Sequence, residues 1–289
     1  GELEGRLGSL ADPKRDAFVA LNTAFFDDGA AVVVPRDTAL DAPARVRFEA
    51  GAGMSSPRLW IDAEPGSRGV VVVDFASRAS GSAHFTNALL ELQLGANASL
   101  DVVLLQCEGD RALHVLRAFA QLERDARLRV HTLSLGGALV RNDVEVVLAG
   151  EGAEAELLGL FVGAGERHVD NHTLVDHAVP HCTSRELYKG VLGDAARGVF
   201  RGRVLVRPGA RKTSAEQHNP NLLLSSRAEI DTKPQLEIYN DDVRCSHGST
   251  IGRLDRDALF FLRSRGLSLE SAYRMLVEAF ASEVPDELP

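Results

Sequence analysis

The middle of the chain consists of short Val- and Leu-rich runs broken by Gly, Asn or Asp, and some alternate apolar with polar positions, as at Val144, Val146 and Leu148. A period of two marks strands with one buried face. A longer period overlies it. The segments GANASLDVV, ERDARLRVH, GEGAEAELL, AVPHCTSREL and RPGARKTSA each set a small residue after a turn, at Ala98, Ala126, Ala153, Cys182 and Ala210, at intervals of 28, 27, 29 and 28 residues. Ala44 lies two further periods upstream, and Ala228 follows Ala210 by only 18 residues. Recurrence at this length means stacked supersecondary units. A coil of about 28 residues holds two or three strands of about five residues, the size of one turn of a parallel β-helix. The expectation is a mainly β chain with about eight coils over residues 30–253. Identical corners stack on one another, which favours Ala, Cys, Ser or Gly there.

Arg111 to Asp125 tests this reading, because Leu113, Leu116, Ala120 and Leu122 fall close to helical spacing. A strand is expected instead, since only an ordinary coil keeps Ala98 and Ala126 in period.

The ends differ from the middle. Asp12 followed by Pro13 can start a helix carrying Ala17, Phe18, Leu21, Ala24 and Phe25, within a helical segment over residues 1–29. Residues 254–289 predict a small helical subdomain. Asp255 caps a short helix with Leu259, Phe260 and Leu262 that stops at Gly266. Ser268 caps a second, with Leu269, Ala272, Tyr273, Leu276, Val277 and Phe280 on one face, ending before Pro285. That stripe can dock on the end of its own solenoid or bind a partner.

Composition narrows the function. The 289 residues are 45% hydrophobic, with 32 basic and 41 acidic side chains and a net charge of −9, so no bulk positive field favours nucleic acid. The longest wholly apolar stretches, such as Val70 to Val73, are far too short for a membrane helix. Three cysteines, Cys107, Cys182 and Cys245, are too few for a disulfide framework, and the N-terminus has no secretory signal. A soluble cytoplasmic protein is the expectation. The chain begins with Gly1 rather than Met, which suggests a processed or truncated N-terminus.

Common catalytic signatures are missing. The nearest approach to a phosphate-binding loop is GARKTS at Gly209 to Ser214, where Arg211 stands in place of the second glycine, so no nucleotide site is expected. His168, His172, His177 and His181 adjoin Cys182, a grouping that suits either a metal or a polar ladder between coils. The pair Cys245 and His247 in DDVRCSHGST carries more information. Residues i and i+2 of a strand share a side, so thiolate and imidazole can approach one metal together. Two ligands are too few for a closed site, so either the site is transient or a second chain supplies the others. The alternative is a buried cysteine beside a hydrogen-bonded histidine.

From Ser184 to Phe280 the chain resembles the SufD branch of the SufB/SufD family of the SUF iron–sulfur cluster assembly system, most densely in ARKTSAEQHNPNLLLSSRAEIDTKPQLEIYNDDVRCSHGSTIGRLDRDALFFLRSRGL. SLGGALVRNDVEVVLAGEGAEAELLGL, HVDNHTLVDHAVPHC and FVALNTAFFDDGA fit the same family. The resemblance implies a right-handed parallel β-helix that pairs with a SufB-like paralogue and binds a SufC-like ATPase through its C-terminal helices. It also implies iron or a nascent iron–sulfur cluster shared with the partner, with His247 at the family's proposed ligand position and Cys245 in the same motif. Leu262, Tyr273, Leu276, Val277 and Phe280 would then face the ATPase. The C-S-H-G-S-T stretch favours the SufD branch, since the SufB type has V-E-H-E-A-T there. Family members often read A-Q-K-T-D-A at Ala210 to Ala215 and carry a larger N-terminal helical region, of which only about the last helix is expected here. A non-catalytic scaffold is the resulting expectation, with a homodimer possible for the chain alone. Two rivals are a purely structural β-helix subunit without a metal role and a carbohydrate-active β-helix enzyme.

Overall fold

The computed structural model describes residues 7–26, 28–78, 81 and 83–289. In chain order these form α1 (Ala17–Phe25), β1 (Asp28–Val34), β2 (Ala44–Ala50), β3 (Gly53–Ser55), β4 (Pro57–Ala63), β5 (Arg68–Ser77), β6 (His84–Leu94), β7 (Ser99–Cys107), β8 (Ala112–Leu122) and β9 (Arg127–Ser134). There follow β10 (Leu139–Leu148), β11 (Glu154–Gly163), β12 (His168–His177), β13 (Thr183–Leu192), β14 (Arg197–Val206), β15 (Thr213–Leu223), β16 (Glu229–Thr232), β17 (Gln235–Ile238), β18 (Val243–Gly252), α2 (Arg256–Ser264) and α3 (Leu269–Ala281).

Most strands pair in parallel with the strand two places along, and a few at the ends with the strand three places along, so the chain winds through two facing sheets. The first runs β1-β4-β6-β8-β10-β12-β14-β16, with β3 beside β6 and β17 beside β14; the second runs β18-β15-β13-β11-β9-β7-β5-β2. This is the expected parallel β-helix of about eight turns. A turn uses two strands, of ten residues in β10, β11 and β12, rather than shorter strands of about five. Two long strands and two tight corners fill the same period. Inward residues at every second position form the core between the sheets, including Phe75, Leu90, Leu100, Leu116, Val130, Leu157 and Phe200. Burying each such side chain stabilises the fold by about 1.5–3 kcal/mol. Residues Arg111 to Asp125 contain β8, held between β6 and β10. Inward packing of Leu116, Ala118, Ala120 and Leu122 outweighs their helical preference.

The corner row is real but its register differs in places. Ala98, Ala126, Ala153 and Cys182 are fully buried, and the carbonyls of Ala98, Ala126 and Ala153 accept from Arg127, Glu154 and Thr183 on the next coil. The next residue in the row is Thr213, since the Cys182 carbonyl accepts from Ser214 N. Ala210 is buried three positions earlier; Lys212 keeps the positive φ that also precedes the other corners, at Asn97, Asp125, Gly152 and His181, and Gly209 adds one more. Ala44 is no corner, for it pairs with Val71 within a strand; the row runs back from Ala98 through Ser67 to Thr38, which holds that place. Ala228 belongs to a second row, next to Ala196.

Asp16, not Asp12, caps α1, accepting from Phe18 N and Val19 N at 2.9 and 3.0 Å. Asp12 instead closes a turn through Lys14 N, because its backbone lies too far upstream. The helix lies on the outer face of the first sheet, where Asn22 donates to the carbonyls of Pro57 and Asn87. The expected segment 1–29 lies partly outside the described residues.

At the other end Asp255 and Ser268 cap α2 and α3 as expected, and Gly266 at φ 94° ends the first of them. The tail docks on the side of the solenoid rather than its end. Val277, Phe280, Ala281 and the fully buried Val284 pack on Val103, Leu133, Leu158, Leu160, Leu187 and Val191, which project from the second sheet. Lys189 pairs with Glu283 at 2.5 Å and lies over the Phe280 ring, while Arg185 holds Glu287 through two bonds of 3.0 Å.

Candidate functional site

Cys245 and His247 lie on β18, the last strand of the second sheet. Among the described residues β18 pairs with β15 alone. Its other edge therefore offers backbone donors and acceptors to a further strand. Tyr239, Ile238 and Ile251 are exposed near this open end.

Register fixes the side that each residue faces. Cys245 is level with Ala215 and His247 with Gln217, both buried on the lumen side of β15. Cys245 and His247 therefore project from the lumen face of β18, about 6.6 Å apart along the strand. They differ in cover. Cys245 is half-buried against Val204, Val206, Ala215, Leu236 and Val243, whereas His247 is exposed. Burial pushes the Cys245 thiol up, partly offset by the backbone hydrogen bond from Ala215. Such a thiol is protonated at neutral pH and releases its proton when it binds a metal.

Thiol and imidazole suit iron, but the pair makes only half of a four-ligand set. Among the described residues no group of three or more His, Cys, Asp or Glu side chains is placed to hold a metal ion. A complete site at this end needs donors beyond the His, Cys, Asp and Glu side chains placed there among the described residues.

The histidine-rich segment does not converge. His172 faces outward and touches Asp170 and Asp143 at 2.9 and 3.4 Å, the latter on the neighbouring coil. His177 points into the core, bonded to Ser184 Oγ at 2.9 Å, and burial lowers it to about 4. His181 sits in a turn at φ 64°, and His168 is half-buried at the start of β12. Cys182 fills its corner, and Cys107 is exposed at the end of β7. In GARKTS, Lys212 pairs with Asp242 at 3.0 Å.

Of the helical residues singled out by their stripe, Val277 and Phe280 lie against the second sheet. Leu262, Tyr273 and Leu276 are half-buried. The most exposed apolar side chains of the helix pair are Phe260 at 74% and Phe261 at 56%, followed by Leu269 and Met275. Sequence reasoning missed Phe261 and Met275, because a helical stripe does not tell which side the solenoid takes. It also missed Glu186 and Gln217, buried polar residues at inward positions of β13 and β15. Neither strand alternates apolar with polar residues, so only the register reveals them.

No helix among the described residues is long and apolar enough to cross a membrane. Comparison with known proteins gives two adjoining family matches. The profile described as "SUF system FeS cluster assembly, SufBD core domain" covers residues 46–280, and "SufBD protein N-terminal region" covers residues 3–46. The chain is 37% identical over 231 residues to the iron–sulfur cluster assembly protein SufD of Escherichia coli, covering 80% of this chain and 54% of that protein. It is 33% identical over 299 residues to a SufBD family protein of Synechocystis, covering 100% of this chain and 66% of the relative. A SufBD family protein of Mycobacterium leprae is 37% identical over 295 residues, covering 98% of this chain and 74% of the relative. The chain thus spans between about half and two thirds of the length of the first two.

Proposed function

The chain belongs to the SufBD family of iron–sulfur cluster assembly proteins, and from that premise we propose that it is a non-catalytic scaffold subunit of the SUF system, acting in the cytoplasm. One observation carries the reading: the only cysteine–histidine pair at strand spacing lies on the open last strand, where a second chain can complete it. The body over residues 30–253 pairs through β18 with a SufB-like paralogue, or with a second copy of itself when alone. Cys245 and His247 then contribute two donors to iron or a nascent cluster, and the partner contributes the others. The cluster is cargo, passed on to apo-proteins.

The C-terminal unit, residues 254–289, takes the SufC-like ATPase. Since Val277 and Phe280 are engaged on the second sheet, the contact surface is drawn from Leu262, Tyr273, Leu276 and the exposed Phe260, Phe261 and Met275. ATP is hydrolysed by that partner. The salt bridges of Arg185 and Lys189 to the tail offer a rigid path from the helices to β13.

The test is His247→Ala in the complex co-expressed with paralogue and ATPase. Cluster assembly, followed by its visible charge-transfer absorbance, should fall severely while the three chains still co-purify. Wild-type assembly and iron content in that variant would leave a purely structural subunit as the correct reading.

A further inference from the structure

Beneath His247 the lumen of the solenoid holds a buried polar pair. On the lumen side of the second sheet, Leu157, Glu186, Gln217 and His247 occupy consecutive rungs in register on β11, β13, β15 and β18. Glu186 and Gln217 are both fully buried. Gln217 Nε2 donates to Glu186 Oε2 at 2.8 Å, and Thr173 Oγ1, reaching across from β12, donates to the same oxygen at 2.8 Å. The amide nitrogen is thereby engaged on the inner rung. Gln217 Oε1 is buried without a hydrogen-bond partner, as is Glu186 Oε1.

The opposite wall holds this amide in place. Gly202 on β14 faces Gln217 so closely that a Cβ there would lie 2.2 Å from Gln217 Nε2. Only glycine leaves room for the glutamine, so its side chain has little freedom to turn away. An orphaned buried acceptor is costly, and the next rung outward carries the imidazole of His247. A ligating histidine usually donates its second ring N–H to such an oxygen, which fixes its tautomer and aims its free nitrogen.

We propose that Gln217, held by Glu186, Thr173 and the gap at Gly202, is a positioning residue for His247: the exposed imidazole turns inward, donates its N–H to the orphaned Oε1, and presents the other ring nitrogen, unprotonated, at the open end of the solenoid. This rests on the ligand role proposed for His247, but the geometry can be tested without metal. Glu186 and Gln217 thus support the outermost rung.

The experiment is long-range proton–nitrogen NMR on the full 15N-labelled chain at pH 8.5 without metal, with the His247 signals identified by their loss in His247→Ala. In the wild type His247 should show a single neutral tautomer, one ring nitrogen protonated and the other not. Gln217→Met keeps the length and removes the amide, and should move both nitrogens toward averaged positions. Glu186→Gln keeps an acceptor for Gln217 and Thr173 and should retain the wild-type pattern. Averaged ring nitrogens in the wild type, or a pattern unchanged by Gln217→Met in a folded variant, would overturn the proposal. Should Gln217→Met not fold, the wild-type spectrum still decides: a pure tautomer with a slowly exchanging ring N–H upholds the proposal. Iron affinity of the co-expressed complex is read separately, and should weaken by about tenfold or more in Gln217→Met. Iron binding that is indifferent to His247 itself sinks the ligand role while leaving the tautomer result standing.

Discussion

Replacing Glu186 by Gln should make the protein more stable above neutral pH and leave it little changed in acid. Burial in the lumen raises the Glu186 carboxyl to about 7, against an ordinary 4.5, even though Gln217 and Thr173 both donate to it. Between those values the folded chain holds a proton that the unfolded chain has released. Stability from this group is therefore fully present below pH 4.5 and is lost as pH rises through 7. Keeping the carboxylate ionised inside the fold costs on the order of 3 kcal/mol at pH 8 and above. Glutamine keeps an oxygen for both donors and never ionises. Urea unfolding of wild type and Glu186→Gln, measured from pH 5 to 9, should give curves that converge at the acid end and separate as pH rises, the variant unfolding later. Other titrating groups are common to both proteins and cancel in the comparison. Parallel curves, or a wild type that gains on the variant through pH 7, would refute the reasoning.

Glu108 should behave in the opposite sense. Burial alone would raise it, but His114, Thr86 and Gln106 hold it at about 2, so its stabilisation is present above pH 4.5 and lost as pH falls through 2. Glu108→Gln should cost about 3 kcal/mol at pH 7 by leaving its buried partners unmatched, a deficit seen in chemical denaturation that shrinks toward pH 2. Gly159→Ala places a Cβ 2.2 Å from the Tyr188 ring and should destabilise by about 1–3 kcal/mol; the double variant with Tyr188→Leu should recover part of that loss. Val284→Asp puts a charge among Val103, Leu133 and Leu158, and limited proteolysis should then clip the C-terminal tail while the β-helix resists.

Much of this fold can be read from the chain because a solenoid repeats its constraints. Each corner crowds the one before it, so Ala98, Ala126, Ala153 and Cys182 record the coil directly. The same logic places Arg111 to Asp125 in a strand against its own propensity. What repetition does not encode is local slack. An added bend at Gly209, where φ is positive, accompanies the shift of the corner from Ala210 to Thr213, and no sequence interval distinguishes a stacked corner from a buried residue near one. The helix ends show a similar limit. Asp12 and Asp16 are both good caps, and the position of α1 on the sheet selects the second.

The site divides along the same line. C-x-H spacing on a strand is a local property, and Cys245 and His247 do share a face. Which helix side meets solvent is a tertiary property, so the stripe that contains Val277 and Phe280 could not reveal that the outer face of the second sheet covers them. Glu186 and Gln217 become legible only once the register is known, because their significance lies in being stacked beneath His247 rather than near it in sequence.

The central claim is that this chain gives His247 to iron at an interface it shares with another subunit. Pulsed EPR on the reduced, iron-loaded complex, with 15N-histidine in this chain only, measures that ligation directly. The account predicts a directly coordinated 15N coupling to the paramagnetic iron that disappears in His247→Ala and persists in His218→Ala, whose ring lies on the outer face of β15. An iron signal with no such coupling, or one unchanged by His247→Ala, would contradict it.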